Sequence, residues 1–232
     1  MLIIPVIDLS HGLVVHAKKG ERNKYQPLES VLTTQTSLEA ILESYFKLYP
    51  FKNIYIADLD AIQGTGNHFQ LLGDIAIRHT TCEFWVDAGI DFLKQKRLFT
   101  DKRNIKPVLG SENKVTEMEF TNLIKANPEI ILSLDFSKTG FVENTYLLKS
   151  SKLWPENVIV MMLHRVGTGK GIDQECLTRI QQLSTHSNIF VAGGISNRSD
   201  LIQLKDKGIA GALLATSLHN GMITREDLES FS

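Results

Sequence analysis

Short apolar runs rich in β-branched residues alternate along this chain with longer stretches whose apolar positions recur every three or four residues. The first pattern belongs to strands buried on both faces, the second to helices that bury one stripe. The alternation predicts strands near 3–8, 53–58, 82–87, 106–110, 129–135, 157–162, 188–192 and 210–215. Helices are predicted near 37–49, 67–79, 91–100, 113–126, 144–150, 173–185, 198–207 and 224–231. Several carry start signals: Thr36 or Ser37 before Leu38, Asn67 before Phe69, Asn197 before Arg198, and Thr224 followed by Asp227.

The two halves echo each other. Ile3-Ile4-Pro5-Val6-Ile7-Asp8 is matched by Ile130-Ile131-Leu132-Ser133-Leu134-Asp135. Val86-Asp87-Ala88-Gly89-Ile90 is matched, 105 residues on, by Val191-Ala192-Gly193-Gly194-Ile195, and Gly110-Ser111 stands at the same offset from Ala215-Thr216. Asn53-Ile54-Tyr55-Ile56 is echoed by Asn157-Val158-Ile159-Val160. Four echoed strands per half predict an α/β fold, a (β/α)₈ barrel with half-barrel internal duplication, spanning 1–232 as one domain.

Composition narrows the function classes. Lys and Arg number 25 against 26 Asp and Glu, a net charge of −1, which gives no pull toward nucleic acid or membrane. Cys82 and Cys176 lie far apart without metal-ligand spacing, so a reducing cytoplasm is expected rather than a disulfide framework. The chain opens on a strand-like run without a signal-peptide pattern, and no apolar stretch reaches the ~20 residues of a membrane span. A monomer or small homo-oligomer is expected.

Such barrels place their chemistry at the C-terminal ends of strands, where Asp8 and Asp135 fall. If strands one and five are opposite, these carboxylates face each other across the mouth, an arrangement suited to general acid–base work. Val191-Ala192-Gly193-Gly194-Ile195-Ser196-Asn197 ends a strand and opens a helix, and Thr216-Ser217 follows the last strand. Glycines that admit a ligand to the backbone, together with helix starts, predict a phosphate site from Gly193, Gly194, Ser196, Thr216 and Ser217. In the first half Asp87-Ala88-Gly89 and Gly110-Ser111-Glu112 stand at the corresponding places. Carboxylates there repel a dianion, so Asp87 is read as a holder of a hydroxyl or an amine, or as a helix cap. Asp58 ends the second strand and is a further substrate-site candidate. With Asp8 and Asp135 it would offer oxygen ligands, but spacing across separate strands establishes no metal geometry, and neither metal nor cofactor is expected. After strand six, Val166-Gly167-Thr168-Gly169-Lys170 lacks the residue order of a P-loop; its glycines permit a loop over the mouth, with Thr168 and Gly169 placed for substrate. Residues 9–36, without a convincing helix, form either a small β-excursion or a lid over an anionic substrate.

Ile3-Ile4-Pro5-Val6-Ile7-Asp8-Leu9, Ala57-Asp58-Leu59-Asp60-Ala61, Ser133-Leu134-Asp135, Gly167-Thr168 and Gly193-Gly194-Ile195-Ser196 together resemble the histidine-biosynthesis barrels. Within them the chain is closer to the phosphoribosylformimino-5-aminoimidazole carboxamide ribotide isomerase family than to its cyclase sibling. The resemblance covers nearly the whole chain. It implies an Amadori rearrangement of a phosphorylated aminoaldose to an aminoketose, with Asp8 removing the C2 proton, Asp135 protonating the ring oxygen, and Thr168 nearby. Departures fall on substrate gripping. Asp87-Ala88-Gly89 replaces a glycine-rich turn, Val166 precedes Gly167-Thr168 where an aspartate is usual, and Ala215-Thr216-Ser217 replaces a Gly-Arg-Ala type segment. His16 and Lys18-Lys19 stand where an arginine and a glutamine are normal. The pattern is similar to an isomerase-like group of methylotrophs associated with one-carbon-carrier cofactor synthesis. Two alternatives follow: a lyase or synthase on a single-phosphate intermediate, using Asp87 or a lysine such as Lys170, and a non-catalytic barrel that binds a phosphometabolite or a partner protein.

Overall fold

The computed structural model describes residues 1–95, 104–184 and 186–231. Strand β1 (Leu2–Ser10) turns into an antiparallel excursion, β2 (Leu13–His16) and β3 (Gln26–Pro27), before α1 (Leu38–Leu48). There follow β4 (Asn53–Asp58), α2 (Leu59–Gln63), α3 (Phe69–Arg78), β5 (Glu83–Asp87), α4 (Gly89–Lys94), β6 (Ile105–Gly110) and α5 (Glu117–Ala126). The second half runs β7 (Ile131–Ser137), β8 (Gly140–Phe141), α6 (Tyr146–Lys149), β9 (Asn157–Met162), α7 (Gln174–Leu183), β10 (Asn188–Ala192), α8 (Arg198–Asp206), β11 (Gly211–Leu214), α9 (Thr216–His219) and α10 (Arg225–Glu229).

The parallel strands β1, β4, β5, β6, β7, β9, β10 and β11 pair in that order, and β11 pairs back onto β1 from Leu2↔Gly211 to Pro5↔Leu214. The ring is a closed eight-stranded (β/α)₈ barrel, as the alternation predicts. β1 and β7 are its first and fifth strands and therefore lie opposite. The predicted caps for α1, α8 and α10 are present: Ser37 accepts from Ala40 N, and Asn197 and Thr224 each form a reciprocal capping box with an aspartate. α2 and α9, two short helices at the mouth, were not expected. The helix predicted from 113 starts at Glu117, capped by Thr116, because Asn113 turns back to bond Gly110 O. Residues 96–100 of the predicted 91–100 helix, and residue 185 of the 173–185 helix, lie outside the described residues.

Alternate residues of each barrel strand point to opposite faces, which divides the core into two layers. Outward residues such as Ile7, Ile54, Ile56, Val86, Leu132 and Leu134 pack under the helices. Inward residues, among them Ile4, Tyr55, Trp85, Ile131 and Phe190, fill the barrel. Each buried aliphatic or Phe side chain contributes ~1.5–3 kcal/mol. Trp85 and Phe190 meet edge to face with centroids 4.8 Å apart. Gly211 makes room for that pair: a Cβ there would lie 2.6 Å from Phe190 Cδ1 and 2.9 Å from the Leu2 carbonyl oxygen.

A buried polar chain ties the mouth to the helical layer. The Tyr45 hydroxyl donates to Val6 O at 2.9 Å and therefore accepts from His219 Nε2 at 2.7 Å. His219 Nδ1 is then left to accept from the Ser30 hydroxyl, 2.9 Å away. This neutral imidazole joins α9, α1 and the end of the 9–36 segment. Burial, with His16 nearby, pushes its pKa from 6.5 down to about 4.

Two outcomes are expected. Gly211→Ala should cost about 1–3 kcal/mol through overpacking, read as a lower thermal midpoint; an unchanged midpoint would mean that the Phe190 ring relaxes freely. His219, neutral when folded, becomes charged on unfolding below pH ~6.5, so its stabilising share falls as pH drops from about 6.5 toward 4. The buried mouth carboxylates titrate with the opposite sign, so the comparison must be differential. The cost of His219→Gln in urea unfolding should shrink by about 2 kcal/mol between pH 7.5 and 4.5. A pH-independent cost would show that the imidazole is not held neutral.

Candidate active site

The inward parity that buries Ile4 and Val6 places Asp8 on the inner wall at the upper end of β1. The same parity places Asp87 above Trp85 and Asp135 above Ile131 and Ser133. All three carboxylates line one cavity of about 210 Å³ at the C-terminal end of the barrel. Their surroundings differ. Asp135 accepts from Ser133 Oγ at 2.7 Å, from Ser111 Oγ at 2.9 Å and from Glu112 N at 3.4 Å. Asp87 accepts from the Tyr55 hydroxyl and from Gly89 N, both at 3.3 Å. No hydrogen-bond donor among the described residues meets the Asp8 carboxylate, which is left facing the cavity. Burial pushes Asp8 and Asp87 up to about 7; Arg22 opposes the shift at both, and Glu112 and Asp135 add to it at Asp87. Asp135 rises to about 6 through burial and the charge of Glu112, held back by its serine donors. The mouth therefore holds carboxyl groups that exchange protons near neutral pH.

On the far wall, β10 is followed by Gly193 and Gly194, with φ of +93° and +89°. A Cβ at either would fall within 2.5 Å of a carbonyl oxygen, of Met162 at Gly193 and of Gly171 at Gly194, so only glycine fits. Gly193, Gly194, Ser196, Thr216 and Ser217 all line the cavity. Ser196 is already committed, since its hydroxyl and amide both bond Asp200 at the start of α8. Ser217 is 2% exposed and its hydroxyl has no partner. Arg165, which sequence reasoning passed over, lines the same wall against Gly194, and its Nε is also buried without a partner. Its only sequence signal was its place in a glycine-rich loop after a barrel strand.

The segment after β1 forms both the predicted β-excursion and a cover across the mouth. Lys19 N bonds Val166 O at 3.0 Å, and His16 Nε2 meets Thr216 Oγ1 at 3.2 Å. Arg22 reaches across to Glu112 at 2.5 Å. Arg22 and Tyr25 line the cavity, as does Tyr55 from β4. None of these three was among the predicted site residues. Tyr55 follows from its inward parity; Arg22 and Tyr25 were legible only as polar residues of a long loop.

Four expected site residues, Asp58, Thr168, Gly110 and Ser111, do not line the cavity. Asp58 lies on the outward parity of β4, fully buried, where it caps α2 through Ala61 N and accepts from the His68 amide and Nδ1. It is a structural cap and does not line the cavity. The Thr168 hydroxyl donates to Arg165 O at 2.8 Å and accepts from Lys170 N, closing its own turn, while Gly169 does line the cavity. Lys170 is exposed, and among the described residues no lysine lines the cavity. Gly110 and Ser111 act through the carboxylates. A Cβ at Gly110 would crowd Asp135 Oδ2 at 3.3 Å and Asp87 Oδ2 at 3.6 Å, and Ser111 bonds Asp135.

The β5–β6 end differs from its β10–β11 counterpart. Gly89 N is taken by Asp87, and Ile90 N by Asn113 Oδ1 at 3.1 Å. A phosphate at ~5 Å from Asp87 or Glu112 would be repelled by about 3 kcal/mol per pair of unit charges at an effective dielectric near ~20. No group of His, Cys, Asp and Glu among the described residues has the arrangement of a metal site, and no described helix is long and apolar enough to cross a membrane.

Comparison with known proteins finds relatives along nearly the whole chain. An uncharacterised protein of Methanocaldococcus jannaschii is 32% identical over 234 residues, covering 98% of this chain and 97% of its own. The 1-(5-phosphoribosyl)-5-((5-phosphoribosylamino)methylideneamino)imidazole-4-carboxamide isomerase of Halothermothrix orenii is 29% identical over the full length of both chains. The isomerase of the same name from Listeria welshimeri is 26% identical over 98% of this chain and 97% of its own. The family model described as histidine biosynthesis protein matches residues 2–224, and the chain belongs to that family.

Proposed function

We propose that this chain is an isomerase that carries out an acid–base, Amadori-type conversion of a phosphorylated aminoaldose to an aminoketose. The observation that carries this reading is the pair Asp8 and Asp135, on opposite strands of one cavity, both shifted toward neutrality. The names of the Halothermothrix and Listeria relatives support the same reaction class. Asp135 gives a proton to the ring oxygen as the C1–O bond breaks and the amine nitrogen lone pair forms the C1=N bond. Asp8, free of donors, takes the C2 proton; electrons move toward nitrogen to give an enaminol. Proton return to C1 and loss of the hydroxyl proton complete the C2 ketone, leaving the carboxyl groups ready to reset. Gly193, Gly194, Thr216 and Ser217, with Arg165, hold the substrate phosphate, and Gly169 closes one side. Tyr55, Ser111 and Ser133 act as positioning residues for the carboxylates. The protein acts on a small phosphorylated molecule without nucleic acid or cofactor.

The departure of Asp87 from a glycine-rich turn favours a second reading of the specificity, in which the same chemistry acts on a substrate with a single phosphate. The lysine route through Lys170 has no support from the cavity wall.

The test is turnover of purified protein on the bisphosphorylated aminoaldose and on phosphoribosylamines that lack the second phosphate. Asp8→Asn and Asp135→Asn should each lower kcat/KM by about 10²–10⁴-fold with circular dichroism unchanged. Folded protein inert on every such substrate, or full activity in Asp8→Asn, would sink the reading. A second outcome concerns pH. Activity needs Asp8 as the carboxylate and Asp135 as the acid, the less populated of the two singly protonated arrangements when Asp8 is raised to about 7 and Asp135 to about 6; the singly protonated pair itself is most abundant between those values. The kcat/KM profile should therefore be bell-shaped with a maximum near pH 6.5. A flat profile between pH 5 and 8 would count against the pair.

A further inference from the structure

We infer that the β5–β6 end of the cavity is a cation subsite, so that the substrate carries one phosphate at the β10–β11 end and a protonated amine at the other. The inference uses the cavity and phosphate end of the isomerase reading and adds the chemistry of the opposite end.

The internal repeat makes the contrast residue by residue. At the offset of 105 that aligns Gly89 with Gly194, Ala192 corresponds to Asp87, Thr216 to Ser111 and Ser217 to Glu112. The two ends share a scaffold, yet at two of these positions a small or hydroxyl side chain in one half faces a carboxylate in the other. All of Ala192, Ser217, Asp87 and Glu112 line the same cavity. The β10–β11 end carries its own sign of an absent ligand. The Ser217 hydroxyl, almost fully buried, has no partner, and the Arg165 Nε beside Gly194 is likewise unpartnered. Two unsatisfied groups, one of them on a guanidinium, call for an acceptor-rich anion there.

The other end has spent its donors. The amides that would grip a second phosphate bond Asp87, Asn113 and Asp135 instead. Asp87 and Glu112 together with Asp135 and Asp8 put four carboxyl groups on the cavity. The guanidinium that reaches them, Arg22, is bonded to Glu112. Asp87 keeps a raised proton affinity even with Arg22 near, through burial first and then through the charges of Glu112 and Asp135. An ammonium between Asp87 and Glu112 would supply the missing positive charge and accept no penalty from the absence of N–H donors. The Halothermothrix relative is named for a compound with two phosphoribosyl groups. This end of the cavity fits a different partner.

Calorimetric binding at pH 7.0 of three sugar phosphates separates the possibilities: glucose 6-phosphate, glucosamine 6-phosphate and fructose 1,6-bisphosphate. Glucosamine 6-phosphate, which differs from the first by an ammonium, should bind at least tenfold tighter than glucose 6-phosphate, and the bisphosphate should bind most weakly. Glu112→Gln and Asp87→Asn should each reduce that amine preference by threefold or more. Ser217→Ala should weaken both monophosphates by a similar factor and leave their ratio in place. Equal binding of the two monophosphates, tightest binding of the bisphosphate, or no binding of any of them would overturn the inference; the wild-type ratio alone decides even if a variant fails to fold. The isomerase reading fails separately, by loss of turnover or by activity that survives Asp8→Asn, neither of which the binding ratio reports.

Discussion

Closure of the strand ring is the constraint on which the site depends. The pairing of Leu2 to Pro5 with Gly211 to Leu214 joins the last strand to the first, and a closed ring leaves each strand one inner and one outer face. Once Ile4 points inward, Val6 and Asp8 must follow, and once Ile131 does, so must Ser133 and Asp135. Opposition of β1 and β7 then comes from strand count alone. The carboxylates need no loop to bring them together; eight ladders of backbone hydrogen bonds hold their Cα positions. Closure also explains Gly211, where Trp85 and Phe190 fill the floor so fully that a methyl group on the neighbouring strand would meet the ring.

The segment after β1 is held across the mouth by contacts of its own. It crosses from the β1 edge to Val166 on one side and to Glu112 on the other, and its far end is fixed through Ser30 to His219 and Tyr45. The same imidazole belongs to α9, the helix that opens with Thr216 and Ser217. The segment after β1 and the β10–β11 end of the cavity are thus tied to one buried hydrogen-bond chain. Burial is the largest cause of the raised proton affinity of Asp8, Asp87 and Asp135. A carboxylate in open water would stay near 4 and be a poor acid at neutral pH.

The barrel, its order of strands and the two opposed aspartates were legible in the sequence because they follow from alternation and internal repetition. Asp58 was not, for a definite reason. Strands buried on both faces carry no polar–apolar alternation, so Ile54-Tyr55-Ile56-Ala57-Asp58 does not reveal which parity points inward. The fold turns Tyr55 and Ala57 into the barrel, which sends Asp58 outward to cap α2. Thr168 lies in a loop without periodicity, where its hydroxyl is drawn to a carbonyl three residues back. Arg165 and Arg22 were hidden for the converse reason: long polar side chains in loops are commonplace, and only the fold shows which ones cross the mouth. The short helices α2 and α9 escaped because each has fewer residues than a helical period needs to declare itself.

Symmetry of the scaffold does not make the two aspartates alike. Asp135 is surrounded by donors because Ser133 shares its strand face and Ser111 ends the neighbouring strand. Asp8 has Val6 below it on the same face and Ala57 beside it on β4, and neither side chain can donate. Donors favour the charged form and burial the neutral one, so the two carboxyl groups sit at different points of the same balance. The duplicated strands supply position, while the residues next to each aspartate supply its proton affinity. The same separation holds at the rim, where Asp87 against Ala192 and Glu112 against Ser217 set a carboxyl group opposite a neutral side chain at equivalent places without moving a strand. A duplicated barrel can therefore keep two opposed carboxyl groups in place while the ends of its cavity diverge, because those ends are built from side chains that the ring closure does not constrain.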